Sequence, residues 1–254
     1  MKLVEATWEL RNLGITVYEA TLEPQDTPEE VTAALAVIHG TADYVSVKVP
    51  TSLFSLAGPL EDLGYSFREM LTTVEIDHMP ALNRVMQRYA DKLASRQASQ
   101  SDKVKIFDEI ISGLFTTDRF SLDPAFSRAQ SANRYCNWIN DEISRGGELH
   151  AITFKGDLVG FFLVHRVEKN RYASLLGGIF ECYQRMGLGY FINHLAYEYS
   201  FRSGAKSVST TYSSNNLSAS NIHFNLPVRL VSQNYVYSRH SLPKKARSVQ
   251  HSPL

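Results

Sequence analysis

Three strand-like runs follow one another between residues 150 and 180, and a glycine-bearing segment then leads into an amphipathic helix. His150 to Lys155 and Leu158 to Val167 are divided by Gly156-Asp157, a Gly-Asp pair between apolar runs that signals a hairpin. Arg171 to Phe180 supplies the third run. From Gly187 to Phe201, Leu188, Phe191, Leu195, Ala196 and Tyr199 recur at helical spacing, and Ser203-Gly204 stops them. Ser207 to Tyr212 returns as a strand, Asn216 to Phe224 forms a short helix before Pro227, and Leu230 to Tyr237 is the last strand. A chain written in this order builds an α/β structure in which a sheet carries helices.

The 254 residues are about one large or two small domains at ~150 residues each. Residues 1–77 carry their own β-α-β-α-β succession: a strand at Ile15–Leu22, a helix from Thr27-Pro28-Glu29-Glu30, a strand at Tyr44–Val49, a helix over 52–63 and a strand over 71–76. Thr27 and Glu30 have the spacing of a capping box, and Pro28 suits a first turn. No residue set in this part looks catalytic. The spacing predicts a helix at Pro80–Leu93, and Ala94–Asp102, small and polar, reads as a linker loop. Helical stretches are expected at 104–114 and 119–143. Four regions result: a partial α/β domain at 1–77, a linker at 78–103, a domain holding the recognisable chemistry at 104–240, and a mobile tail at 241–254.

Lys+Arg and Asp+Glu balance at 26 each, which gives no support for a polyanion-binding protein. At 11% aromatic residues, disorder over most of the chain is excluded. No apolar run approaches the ~18 residues of a spanning helix, and no secretory signal is visible in Met1-Lys2-Leu3-Val4-Glu5, so a cytoplasmic location is expected. Cys136 and Cys182 show neither CxxC nor zinc-type spacing; a disulfide between them is allowed, and two buried thiols are the favoured reading. No metal is expected.

Ile179-Phe180-Glu181-Cys182-Tyr183-Gln184-Arg185-Met186-Gly187-Leu188-Gly189-Tyr190 joins a strand to a helix. Gly187 and Gly189 let the backbone turn and approach a ligand, and the helix start offers free N–H groups suited to a pyrophosphate. The pattern is neither GxxxxGK[ST] nor GxGxxG, so neither a P-loop nor a Rossmann site is indicated. A tight strand-helix connection alone would use the same glycines.

The run Gln184-x-x-Gly187-x-Gly189 resembles the acetyl-CoA loop of the GNAT superfamily of N-acetyltransferases, and the order of elements around it agrees. A second family pattern, an Asn before a short helix carrying a Tyr seven residues later, is met by Asn216 and Ala219, but His223 stands at the tyrosine and Pro227-Val228 at a common Gly-Phe pair. The resemblance covers roughly residues 104–240. It implies a mixed, mainly antiparallel sheet flanked by helices. Val47-Lys48-Val49-Pro50, Leu60-Glu61-Asp62-Leu63-Gly64-Tyr65 and Phe67 look like a partial repeat ahead of the full one, a layout similar to that of bacterial dTDP-4-amino-4,6-dideoxygalactose N-acetyltransferases.

What the resemblance implies is direct transfer from acetyl-CoA to a primary amine, here that of a nucleotide-linked amino sugar. It implies that the co-substrate is held by Ile179, Gln184, Arg185, Met186, Gly187, Leu188, Gly189, Tyr190 and Asn216, although Gln184 can also be a plain surface side chain and Asn216 the cap of its own helix. A strand amide at Gly178-Ile179, with Ile179 the catalytic candidate, polarises the acetyl carbonyl. His223 can act as acid toward the thiolate, can help the amine lose its proton, or can do neither. Tyr183, His165, Tyr212 and Glu168 are candidates to face the acceptor, though each is equally an edge residue. Other amines (an amino acid, an antibiotic, a protein terminus) and a non-catalytic acyl-CoA-binding module remain as alternatives. Neither nucleic acid nor membrane is an expected partner, and a homodimer is allowed.

Overall fold

A computed structural model describes residues 1–241. Apart from Ser241, the expected tail lies outside the described residues. In chain order the elements are β1 (Lys2–Glu5), α1 (Thr7–Leu13), β2 (Val17–Thr21), α2 (Pro28–Ile38), β3 (Tyr44–Pro50), α3 (Ala57–Asp62), β4 (Ser66–Ile76), α4 (Arg84–Ala90) and β5 (Leu93–Gln97). There follow α5 (Gln100–Ile111), α6 (Arg128–Ser144), β6 (Glu148–Phe154), β7 (Asp157–Glu168), β8 (Arg171–Ile179), α7 (Gly189–Arg202), β9 (Ser207–Ser213), α8 (Leu217–Phe224) and β10 (Arg229–His240). They group into two compact units: residues 1–68 with 123–126 and 234–241, and residues 69–122 with 127–233.

In the first unit β1 pairs antiparallel with β2, β2 parallel with β3, and β3 antiparallel with the end of β10, from Asn234↔Pro50 to His240↔Tyr44. The capping box forms as the sequence predicts. Glu30 N donates to Thr27 Oγ1 at 3.3 Å, and Thr27 N donates to Glu30 Oε2 at 3.2 Å. Val31, Leu35 and Ile38 of α2 then fall on one face and pack on Val45, Val47 and Val49 of β3. A short segment from far along the chain completes this unit: Asp123 accepts from His240 Nε2 at 2.8 Å, and Phe126 sits edge-on to Tyr44 at 5.5 Å.

The second unit is a mixed, mostly antiparallel sheet in the order β4-β9-β8-β7-β6-β5, with β8 and β9 parallel. This is the expected sheet class. β7 is apolar at consecutive positions because both its faces are covered. Phe161 and Leu163 pack with Ile106 and Ile110 of α5 and Ile139 of α6, whereas Phe162 and Val164 pack with Phe191, Leu195 and Ala196 of α7. Each of these buried side chains larger than Ala196 contributes about 1.5–3 kcal/mol. The β6–β7 turn is centred on Lys155-Gly156 (φ 53° and 95°), one residue earlier than the sequence suggests, since a two-residue turn of this hand needs positive φ at both central residues.

Three further stretches differ from expectation. The polar run at 94–102 is not a loop: 93–97 is an edge strand pairing with β6 from Leu93↔Phe154 to Gln97↔His150, and Ser99 caps α5. An edge strand with one solvated side carries polar residues freely, which hides it in the sequence. The helix expected at 80–93 shortens to α4, capped by Asn83, and the one expected from 119 starts at Arg128, after the Ser127 cap. Among the described residues, no helix is long and apolar enough to cross a membrane.

Candidate active site where two strands part

β8 and β9 are paired only from Arg171↔Ser207 to Ser174↔Thr210. Beyond that point β9 continues along β4 as far as Ser213, and β8 continues along β7. The register with β7 passes from Val164↔Ser174 to Leu163↔Leu176, so Leu175 is a bulge residue at the place where the strands part. Past the bulge, Phe180 N donates to Val159 O at 2.8 Å. Because alternate residues of an antiparallel strand bond to the same neighbour, Leu176, Gly178 and Phe180 face β7. Gly177 and Ile179 therefore direct their N–H groups to the side that β9 has left. Gly177 has no room for a side chain: a Cβ there would lie 2.3 Å from Ile192 Cγ2 on α7.

The segment after β8 ends at the same opening. Tyr183 N donates to Phe180 O at 2.9 Å, and Gln184 Nε2 donates to Ile179 O at 3.3 Å, folding residues 181–186 into a tight 3-10 turn. Glu109 of α5 accepts from Glu181 N at 3.3 Å and fixes its start. Gly187 then reverses the chain with φ +73°, and α7 begins at Gly189. No side chain caps α7, so its leading N–H groups and the positive end of its dipole are left to a ligand or solvent. Arg185 is exposed beside them and forms no ion pair among the described residues. Leu188 is fully buried, and Tyr190 stacks on His194 and packs edge-on to Phe191. What Leu188 and Tyr190 can offer a ligand is thus backbone, their side chains being engaged in packing.

α8 closes the diverging side. Asn216 Oδ1 accepts from Ala219 N at 2.9 Å and caps the helix. Ile222 lies 3.6 Å from where a Cβ on Gly189 would be, which sets α8 against the start of α7. His223 is buried, its ring stacked on Tyr212 of β9 with centroids 4.5 Å apart and an interplanar angle of 11°. Its Nδ1 lies 2.7 Å from Ala219 O, and its Nε2, sealed from solvent, meets no partner. Burial lowers the basicity of the imidazole, and the Ala219 carbonyl offsets part of that.

The remaining candidates separate. Tyr212 joins His223. Tyr183 lies half-buried against both cores of the unit, its phenol pushed up by burial. His165 and Glu168 stand on the paired half of the sheet, opposite Ala173 and Arg171, the former held by Glu142 at 2.9 Å and the latter by Arg171 at 3.2 Å. Ala173 is six residues from Ile179, about 20 Å along a strand, so neither His165 nor Glu168 is brought to the glycine turn. Gly177 was not among the sequence candidates, although paired glycines at 177 and 178 inside a strand signal close approach of another group. The thiols also differ from expectation: Cys136 is buried and pushed up to about 11, but Cys182 is exposed on the turn. Among the described residues no His, Cys, Asp and Glu cluster could hold a metal ion.

The sequence matches no protein-family model and no curated protein. Solved structures do resemble it. A GCN5-related N-acetyltransferase from Sphaerobacter thermophilus superposes with a TM-score of 0.57 at 12% identity, over 79% of this chain and 60% of that one. A tandem GNAT protein from the clavulanic acid biosynthesis pathway gives 0.55 at 13% identity, over 85% and 70%. The GCN5-related glucosamine N-acetyltransferase region of a fungal multi-domain β-N-acetylglucosaminidase gives 0.58 at 10% identity, over 82% of this chain and 27% of that protein. The chain folds like the GCN5-related N-acetyltransferases.

Proposed function

We propose that the protein is an acetyl-CoA-dependent N-acetyltransferase that passes the acetyl group directly to a primary amine, and that the amine belongs to a nucleotide-linked amino sugar. The observation that carries this reading is the parting of β8 from β9, which leaves the N–H groups of Gly177 and Ile179 without a strand partner beside an uncapped helix. The residues present fit such a co-substrate. The turn at Gly187, the first amides of α7 and the exposed Arg185 suit a diphosphate. A strand edge with alternate free amides suits an extended, amide-bearing arm. Gln184 acts here by holding the Ile179 carbonyl rather than by reaching outward, and Asn216 by capping α8.

A thioester supplies the acetyl group, and the protein has to orient it, stabilise charge on its carbonyl oxygen and manage one proton. A fixed backbone N–H from Gly177 or Ile179 serves the second need, a role for which removal of one donor typically costs 10²–10³ in rate. His223, buried on α8 and stacked on Tyr212 of β9, is the side chain assigned to the third. The amino-sugar acceptor is supported by a similar fold in a glucosamine N-acetyltransferase region. The tandem relative supports reading residues 1–77 as a partial repeat ahead of a full one at 104–240.

Calorimetric titration with acetyl-CoA, ATP and NAD tests the site: saturable binding of the first alone is expected, and its absence overturns the proposal. Thiol release with acetyl-CoA and a panel comprising a dTDP-amino sugar, glucosamine, an amino acid, an aminoglycoside and a peptide then tests the acceptor. Turnover of the peptide or amino acid in preference to both sugars overturns the amino-sugar reading and leaves the acetyl-CoA site standing.

A further inference from the structure

Between α4 and β5 on one side and α7 on the other, the second unit holds a cleft of about 730 Å³, a volume in the range of small-molecule sites. It shares no lining residue with the parted strands, the glycine turn or α8. Two helix faces border it. Gln87, Ala90 and Asp91 stand at i, i+3 and i+4 on α4, while His194, Leu195, Glu198, Phe201 and Arg202 form one stripe of α7. α4 is anchored by different residues: Tyr89 stacks on Phe154 and Phe191, with centroids 6.3 and 6.4 Å apart, and Met86 packs into the same core. Met79, Leu82, Leu93 and Phe201 line the cleft only half-buried, so its apolar wall is left open.

The charged groups of the cleft are Asp91, Glu198 and Arg202, two carboxylates against one guanidinium. Asp91 accepts from the neutral Gln87 amide at 3.0 Å and meets no cation among the described residues. Glu198 accepts from Arg202 at 2.8 Å, but the Arg202 side chain is 77% exposed, and an exposed pair of this kind is weak and gives way easily. His194 is the buried polar side chain of the lining, 9% exposed. Among the described residues its imidazole makes no hydrogen bond, and its Nδ1 is sealed without a partner. A buried polar side chain left unbonded calls for an explanation, and a ligand in the cleft that His194 lines provides one. Burial holds the imidazole toward its neutral form, so the ring adds no positive charge to oppose a cation, and Glu198 offsets only part of that effect.

We propose that this cleft is a second small-molecule site, one that takes an organic monocation with a compact apolar body. The apolar body covers Met79, Leu82, Leu93 and Phe201, and the cationic end lies by Asp91 and Glu198, where it displaces the Arg202 guanidinium. The site stands beside the acetyl-CoA site proposed above and does not depend on it.

The experiment titrates the full chain with three probes of similar size: benzyltrimethylammonium, 3-phenyl-1-propanol and 3-phenylpropionate. The first is the cation, and having no N–H it cannot be acetylated on nitrogen. It is expected to bind saturably with a dissociation constant of about 1 mM or tighter, as suits a ligand of about ten heavy atoms, and about tenfold more tightly than the alcohol or the carboxylate. The double variant Asp91→Asn/Glu198→Gln keeps the shapes and removes both charges, and is expected to bind the cation about tenfold more weakly. The ring protons of His194, assigned in NMR spectra by their loss in His194→Gln, are expected to shift along the same binding curve. Acetyl-CoA affinity in the double variant is expected to stay within about threefold of wild type. Absence of saturable binding of the cation overturns the proposal. So does a cation bound no better than the alcohol or the carboxylate, an unchanged affinity in the double variant, or a His194 signal that does not respond. A parallel loss of acetyl-CoA affinity in the double variant overturns the separateness of the two sites. Failure of wild type to bind acetyl-CoA is a different result and overturns the function proposed above.

Discussion

Gly177→Ala tests whether the parted strands depend on the close approach of α7. The new Cβ would stand 2.3 Å from Ile192 Cγ2 and 3.1 Å from Phe161 O, where carbon contacts are relaxed at about 3.5–4.0 Å. Relief by more than an ångström is needed on the Ile192 side, and a β-branched side chain in a helix has essentially one rotamer to offer. Overpacking of this kind costs about 1–3 kcal/mol, and the entropy gained on replacing glycine returns about 0.4–1, for a net loss near 1–2 kcal/mol. Ile192→Leu removes the branch methyl while conserving volume, so the double variant is expected to recover about 1 kcal/mol of that loss. The tight contact with Phe161 O, a backbone atom, remains. Urea unfolding followed by Trp138 fluorescence in a Trp8→Phe background reports on the second unit, since Trp138 packs with its core and Trp8 belongs to the first. Acetyl-CoA affinity is expected to fall and return in parallel. Two results refute the reasoning: Gly177→Ala within 0.5 kcal/mol of wild type, or a double variant no more stable than Gly177→Ala, either bound being about the scatter of neutral substitutions.

Gly187→Ala forces a side chain into the left-handed region and is expected to cost about 1–2 kcal/mol in the same assay, whereas Gly189→Ala, with ordinary contact to Ile222 at 3.6 Å, stays within about 0.5. His150, His194 and His223 are all held below the usual imidazole range by burial. The unfolded chain therefore binds more protons below about pH 6.5, and stability is expected to fall with acidity there by up to about 1.4 kcal/mol per pH unit for each; a flat thermal-unfolding profile between pH 7 and 5 contradicts this. With a chromogenic disulfide reagent the folded protein is expected to show one fast thiol, Cys182, and to release Cys136 only on unfolding, with acetyl-CoA slowing the first. Two fast thiols, or none, would show that the turn or the core is arranged differently.

Local chemistry explains which elements can be read from the sequence. Thr27 and Glu30 satisfy each other's backbone within four residues, and β7 announces itself because both its faces are covered. The glycine turn and α7 are similarly self-contained. β5 is hidden because an edge strand tolerates Ser95, Arg96 and Gln97, which in isolation read as loop. β4 illustrates a different limit. Its sequence pattern places it with the first 77 residues, but Thr73 meets Thr211 of β9, 138 residues away, and no periodicity encodes a partner. The candidate site divides in the same way. Gln184 and Gly187 are legible because the turn needs them; the free amides of Gly177 and Ile179 exist only because β9 leaves β8 after Ser174, a tertiary event. His165 and Glu168 are candidates for the acceptor side from their place near a strand end, and only the pairing register shows that they stand opposite Ala173 and Arg171.

Neutral net charge and a proposed diphosphate ligand are compatible for a physical reason. Charge counting detects proteins that neutralise many phosphates at once, each with its own Lys or Arg. A single diphosphate needs far less: a helix start carries the equivalent of about half a positive charge, and its unbonded N–H groups supply directed donors. α7 meets that description because Leu188, the residue at its cap, is a buried hydrophobe that anchors the turn and cannot bond to the helix amides. Had a Ser or Asp stood there, the cap would have stabilised the helix by about 1 kcal/mol and occupied a donor that the proposed ligand requires. The sequence gives up the cap at α7, while Thr27, Asn83, Ser99, Ser127 and Asn216 cap five other helices. α1 and α3 also lack a side-chain cap, and an uncapped helix is not a site by itself. Set beside strand amides left open by the parting of β8 and β9, it places two kinds of free donor at one end of the same sheet, and that coincidence is what an extended ligand with an anionic end would use.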